Sequence, residues 1–383
     1  MAVERSIGPP ADPPRVRFTR GRLVAFVVVA VSVVPFLYLV LPKLLGFRGT
    51  WHRIDGGDPW WLGLAAVLEV LSFASYVTLF RGVFARRSIR VAEASRIRGR
   101  ESYQITMASV AATRVFAAAG AGGMALTAWA LRRAGLGPRT VAARMVAFLT
   151  LLYGVYMAAL VIGGLGLYLG VFPGPGPFAI TVIPAVFGGV VIGLFLGIAF
   201  LPGDLERVVA GWTSLGRRAG RAARWLAAMS ATAAVGVRTA IELMRSRDPF
   251  LLGALGWWGF DIAVLWACFH AFGSAPPQAV IVLAYFVGML GNALPLPGGI
   301  GGVDGGMIGA FTAFGVDVEA SVVAVLAYRA FAFWLPTLPG TVAYFQLRGT
   351  VQRWRTSPGR AEPLIGHARS TGTRRSSRLP SYI

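Results

Sequence analysis

Residues 292–315 read NALPLPGGIGGVDGGMIGAFTAFG. The stretch is apolar enough to enter a bilayer, yet Pro295 to Gly306 holds two prolines and six glycines and cannot form a regular helix. Asp304 stands just after the break. At membrane depth, backbone that leaves the helix survives only where protein or a water-filled cavity satisfies its polar groups. Paired helix breaks of this kind point to substrate sites in transporters.

Working outward, the 383-residue chain is 56% hydrophobic, which excludes an ordinary soluble domain. Several apolar runs reach the roughly 20 residues that a membrane helix needs. The expected fold class is therefore an all-α polytopic membrane protein. The net charge of +21 comes almost entirely from arginine, with Lys43 the single lysine. In a soluble protein that charge suggests nucleic acid. Here basic loops beside anionic lipid head groups account for it, and no nucleic-acid partner is expected. Cys268 is the single cysteine, so no intrachain disulfide or thiolate cluster forms. His52, His270 and His367 are too scattered for a metal site. No P-loop, nucleophile–base pair or metal-ligand spacing is present, so neither a cofactor nor an enzymatic activity is expected.

Residues 1–22 form a basic tail, and the apolar run after them is too long for a secretory h-region, so it reads as a retained span over 23–41. Further spans are expected at about 60–80, 141–169, 180–201, 250–272 and 319–346. The loop 81–100 carries Arg81, Arg86, Arg87, Arg90, Arg96, Arg98 and Arg100, which places it in the cytoplasm. Residues 103–133 contain an apolar helix to Ala119, a break at Gly120–Gly123 and a second apolar piece ending at Arg132 and Arg133. Neither piece alone crosses the hydrocarbon core, and both ends are basic. A re-entrant hairpin entering from inside follows. Residues 278–314, with the opening stretch as their break, make a second hairpin entering from outside. The Arg-rich segment 204–247, with Trp212 and Trp225, reads either as a cytoplasmic amphipathic helix on the membrane or as a solvated linker helix. Residues 347–383 read as a disordered cytoplasmic tail.

The expected architecture is thus a transmembrane domain over 23–346 with six full spans and two re-entrant hairpins, or eight helices if hairpins count as spans. The chain is expected in the cell membrane with both termini on the cytoplasmic side, and homo-oligomer formation is left open. Sliding the chain so that Gly120 falls on Gly298 also places Gly123 on Gly301 and Arg114 on Asn292. Each half has a span, a broken hairpin and a long span, and the halves run in opposite senses. Such inverted repeats recur among secondary transporters.

Leu296-Pro297-Gly298-Gly299-Ile300-Gly301, followed by Asp304, resembles the signature of the lysylphosphatidylglycerol synthase transmembrane region, also called the flippase-like domain family. Tyr328-Arg329-Ala330-Phe331-Ala332-Phe333-Trp334-Leu335-Pro336, with Gly340, is similar to its closing motif, and Thr113-Arg114 through Arg133 to its first-half pattern. The resemblance covers roughly residues 20–346. Members commonly have glutamate at the position of Asp304 and often Gly-Glu in the first hairpin, where this chain has Gly123-Met124-Ala125. The resemblance implies a lipid-handling membrane protein. In two-domain relatives a soluble synthase domain aminoacylates phosphatidylglycerol and the membrane part moves the product. The polar tail here is too short to bury a catalytic core, so the transferase activity is not expected to carry over.

Charged residues inside spans are the candidate site. Arg329 would either clasp a lipid phosphate in bidentate fashion or pair with an acid. Asp304 would bind a cationic head group or proton, pair with Arg329, or cap the second half-helix. Gly298, Gly299 and Gly301 would present N–H groups to phosphate or serve close packing. Arg114 would bind phosphate or snorkel to the interface, and Asn292 is its counterpart in the repeat. Glu69 and Asp261 are supporting buried charges, relaying protons or neutralising arginines. Arg144, near the cytoplasmic end of its span, would snorkel, and Trp257-Trp258 and Trp60-Trp61 read as interfacial anchors. The leading expectation is a flippase for a lipid with an anionic or phosphate-bearing head group. A membrane-embedded enzyme on lipid or polyprenyl substrates, and a lipid-binding partner protein that does not transport, are the alternatives.

Overall fold

The computed structural model describes residues 56–85, 96–115, 121–200, 217–273, 275–293, 299 and 301–356. Among them the chain is helical throughout, in the order α1 (Pro59–Phe84), α2 (Gly99–Val115), α3 (Ala121–Arg133), α4 (Pro138–Tyr168), α5 (Phe178–Ala199) and α6 (Arg217–Arg245). It continues with α7 (Leu252–Ala271), α8 (Gln278–Met289), α9 (Gly302–Ala313), α10 (Val318–Arg329) and α11 (Thr337–Thr356). Five helical stretches are long and apolar enough to cross a membrane: Pro59–Phe84, Pro138–Tyr168, Phe178–Ala199, Pro249–Ala271 and Val318–Trp354. They match five of the six expected spans. The sixth, 23–41, lies outside the described residues, as do the tail 1–22, the loop arginines Arg86, Arg87 and Arg90, and the chain beyond Thr356.

Helix starts follow local chemistry. Asp58 accepts from the Trp60 N–H at 2.9 Å and Pro59 opens α1. Asp248 does the same for Phe250 at 3.0 Å, with Pro249 next, so the span that contains α7 begins with a short 3₁₀ turn. These two helices form the centre of the bundle. They run antiparallel: the Asp58 N–H donates to the Ala271 carbonyl at 2.9 Å, and the Ser72 hydroxyl donates to the Trp257 carbonyl at 2.9 Å. Gly253 permits the approach, since a Cβ there would lie 2.4 Å from the Ser75 carbonyl oxygen. That register sets Glu69 opposite Asp261.

Two helical hairpins flank this pair. In the first, α2 and α3 lie antiparallel, with the Ser109 and Thr127 hydroxyls hydrogen-bonded at 2.7 Å. The expected break at Gly120–Gly123 does not include Gly122 or Gly123, and Gly120 lies outside the described residues. Described helix stops at Val115, and Gly122 and Gly123 are already inside α3. Gly123 serves packing, since a Cβ there would meet the Ser109 carbonyl oxygen at 2.5 Å. The second hairpin pairs α8 with α9, crossing where Gly288 meets the Met307 backbone. The hairpins open at opposite ends of the bundle. Arg98 and Gly99, at the start of α2, share a small cavity with Arg81 and Phe250, at the end of α1 and the start of the α7 span. Pro277 and Val280, at the start of α8, lie against Gly174, in the turn after α4.

Four further expectations are corrected. The last span is not one helix: α10 ends at Arg329, a π turn spans Ala330–Trp334, and α11 runs to Thr356, through the boundary placed at 347. Pro336 explains the interruption, because it has no N–H to donate. The segment 204–247, where described, is a helix from residue 217 that packs Ala234, Val237 and Ala240 into the protein, with Gly236 against Ala143 and Val146 of α4. Its apolar stripe therefore covers protein as well as any surface. Trp257 and Trp258, read from sequence as interfacial anchors, pack into the protein: Trp258 is buried and donates from Nε1 to the Leu152 carbonyl at 2.7 Å, and Trp257 is half-buried and packs on Tyr76. Arg144, expected to snorkel, is buried and donates to the Val83 carbonyl in the last turn of α1.

Candidate functional site

Pro336 sets the site. In an uninterrupted α-helix the N–H at position 336 would donate to the Ala332 carbonyl. Proline leaves that carbonyl without its helical donor, in the middle of an apolar stretch. Arg114, near the tip of the first hairpin, supplies the donor. Its Nη2 reaches the Ala332 carbonyl at 2.6 Å, and its Nη1 reaches the Phe333 carbonyl at 2.6 Å and the Thr337 hydroxyl at 3.0 Å. Thr337 adds its own bond to the Phe333 carbonyl at 2.5 Å. Arg114 thus neither snorkels nor stands open to solvent. It closes a break in a helix from the other half of the chain.

The second hairpin meets the same turn from the other side. Gly301 has φ of 83°, a left-handed backbone that favours glycine, and it ends the irregular stretch. Its N–H donates to Asp304 Oδ2 at 2.8 Å, so this amide is engaged by the chain's own carboxylate. The other oxygen, Oδ1, lies 2.6 Å from Arg329 Nε. Among the described residues no aligned N–H donor reaches Oδ1, so the contact with Arg329 is a close ion pair held by charge rather than a linear hydrogen bond. Asp304 therefore fills two of its expected roles at once, cap and ion-pair partner. Both members are buried, Asp304 at 7% exposure and Arg329 at 9%.

Phe333 joins the two hairpin tips. The Arg114 guanidinium lies 5.1 Å from the centre of its ring and that of Arg329 lies 5.2 Å away. An aromatic face attracts each cation and separates them. Behind Arg114 stand two acids. Glu69 is 1% exposed and Asp261 5%, and both interact electrostatically with Arg114. Asp261 Oδ2 accepts from the Tyr328 hydroxyl at 2.9 Å and from the Tyr285 hydroxyl. One connected centre thus draws on α1, α2, α7, α8, α9, α10 and the π turn.

The remaining candidates fall elsewhere. Asn292 is exposed at the tip of the second hairpin, with its amide on Met289 and its oxygen against Gly299. It does not join Arg114, its counterpart in the sequence repeat. Gly299 is buried with φ of 67°, and Gly298 lies outside the described residues. Sequence reading missed Tyr285, Tyr328, Phe333 and Thr337. Three of them lay in or beside the closing motif, and the carbonyl orphaned by Pro336 was a usable pointer to Arg114.

This centre lies within the stretch that matches a known family: residues 23–340 match the lysylphosphatidylglycerol synthase TM region. The chain belongs to that family. Two similar proteins are both UPF0104 membrane proteins of Methanothermobacter thermautotrophicus. One is 35% identical over 112 residues, covering 28% of this chain and 31% of the relative. The other is 33% identical over 87 residues, covering 22% and 26%. The matched segments thus span less than a third of each relative. As a lysylphosphatidylglycerol synthase TM region protein, the chain is a multi-pass membrane protein of a lipid-related family.

Proposed function

We propose that this protein carries a lipid with an anionic, phosphate-bearing head group across the cell membrane. The observation that carries the reading is the convergence of two broken hairpins, opening at opposite ends of the bundle, on one buried centre with two arginines. In this reading the hairpins are re-entrant and form inverted copies, with the Arg-rich helix ends and both termini in the cytoplasm. The lipid tails stay in the bilayer while the head group reaches the centre.

The chemistry is an exchange of anions. Arg329 is held by Asp304, and a phosphate competes for the same guanidinium face. When phosphate takes Arg329, Asp304 retains the Gly301 amide, so the half-helix stays capped. Arg114 is committed to the π-turn carbonyls and acts as the positioning residue that keeps Phe333 and Arg329 in place. No step of synthesis is assigned to this chain. The test is translocation of fluorescent phosphatidylglycerol in proteoliposomes. Arg329→Ala, with unchanged thermal melting in detergent, is expected to lose translocation, and Arg329→Lys to keep part of it. Wild-type flux from a folded Arg329→Ala protein would remove Arg329 from the role.

A further inference from the structure

The acids behind Arg114 are not used by the anion exchange. Antiparallel packing of α1 on α7 sets Glu69 opposite Asp261, and both acids are closed off from solvent, at 1% and 5% exposure. Two ionised carboxylates facing each other in a buried site repel, and neither has a proton to donate. Asp261 Oδ2 is supplied with two tyrosine hydroxyl donors. Among the described residues no N–H or O–H donates to Glu69 Oε2. A proton on Glu69 removes the repulsion and turns that orphan acceptor into a donor. It also balances the centre: with Glu69 neutral, Asp261 and Asp304 offset Arg114 and Arg329. Among the described residues the other ionisable groups around the pair are Cys268 on α7, Arg114 on α2, Tyr285 on α8, and Tyr328 with its neighbour Arg329 on α10.

We propose that Glu69 and Asp261 form a proton-binding site whose occupancy sets the affinity of the neighbouring arginine centre for an anion. The binding step is a proton joining a carboxylate oxygen of Glu69, with the proton drawn from water and returned to it. Loss of that proton adds a negative charge beside Arg114 and repels an arriving phosphate. Proton and anion therefore favour each other's binding, as linkage demands. The second half of the proposal rests on the lipid-carrying reading; the first does not.

Two measurements separate them. Infrared spectroscopy of the purified protein near neutral pH is expected to show a buried neutral carboxyl band that Glu69→Gln removes. A wild-type protein without the band, or a band kept in both Glu69→Gln and Asp261→Asn, overturns the proton site. Binding of dihexanoyl phosphatidylglycerol is then followed against pH by calorimetry, since a phosphodiester does not itself titrate in this range. Wild-type affinity is expected to fall by about tenfold as the pair loses its proton, the scale of one added charge at a partly buried distance. Glu69→Gln, permanently neutral, is expected to hold the tighter affinity throughout. A pH-independent wild type, or a Glu69→Gln protein that follows the wild-type curve, overturns the linkage. Wild-type protein that binds no phosphatidylglycerol at any pH overturns the lipid reading and the linkage with it, while the infrared band still decides the proton site.

Discussion

Arg114→Met removes the donors that reach the Ala332 and Phe333 carbonyls, at 2.6 Å each, while filling similar space. Phe333 keeps the Thr337 hydroxyl as a partner, whereas Ala332 O loses the Arg114 donor that replaces its missing helical one. A buried carbonyl left unsatisfied costs about 1–3 kcal/mol, so the substitution is expected to lower stability by about that much. Pro336→Ala restores an N–H positioned to donate to Ala332 O. In the double variant Arg114→Met/Pro336→Ala that bond is expected to recover about 1–2 kcal/mol of the loss. Pro336→Ala alone should recover nothing, because Arg114 already satisfies the carbonyl. Denaturant unfolding in mild detergent, followed by tryptophan fluorescence, measures all four corners of the cycle. Additive costs, with no coupling between positions 114 and 336, would refute the claim that Arg114 stands in for the missing proline N–H.

Other outcomes follow from the same contacts. Asp304→Asn keeps an oxygen for the Gly301 N–H but drops the charge, so it should fold while Arg329 binds phosphatidylglycerol more tightly, read by calorimetry. Asp304→Ala loses the cap as well, and a further destabilisation of about 1 kcal/mol in the same unfolding assay is expected. Gly253→Val drives a side chain into the Ser75 carbonyl, where a Cβ would sit at 2.4 Å; a loss of about 1–3 kcal/mol should appear as a lower melting temperature. Trp258→Phe gives up the 2.7 Å bond to the Leu152 carbonyl, at a cost of about 1 kcal/mol by the same measurement.

The spans were legible because hydrophobic length is a property of sequence alone. The two hairpins were legible from glycine content and from basic flanks. What escaped was set by contacts between distant segments. Gly123 looked like part of a break and instead packs on Ser109 and Thr113, because a glycine that permits close approach and one that ends a helix are the same letter. Trp257 and Trp258 looked interfacial, and tertiary packing buries Trp258 and half-buries Trp257. Arg329 and Asp304 were recognised as partners, yet Tyr285 was invisible inside an apolar run. Only the pairing of α8 with its neighbours brings its hydroxyl to Asp261. The sliding match put Arg114 and Asn292 alike near hairpin tips, yet it is Arg114 that reaches the buried centre, because glycine coincidences carry little information about side-chain contacts.

The π turn at Ala330–Trp334 is in effect one surplus residue wound into a helix. Handing that surplus to an adjacent turn rotates every residue between the old and new positions by about 100°, the angle one residue occupies in an α-helix. Arg329 stands at the edge of the turn, so a one-turn migration toward α10 would swing its guanidinium from one side of the helix to another while the helix keeps nearly its full complement of backbone bonds. The last helix thus contains a swivel whose bearing is the Arg114 clasp.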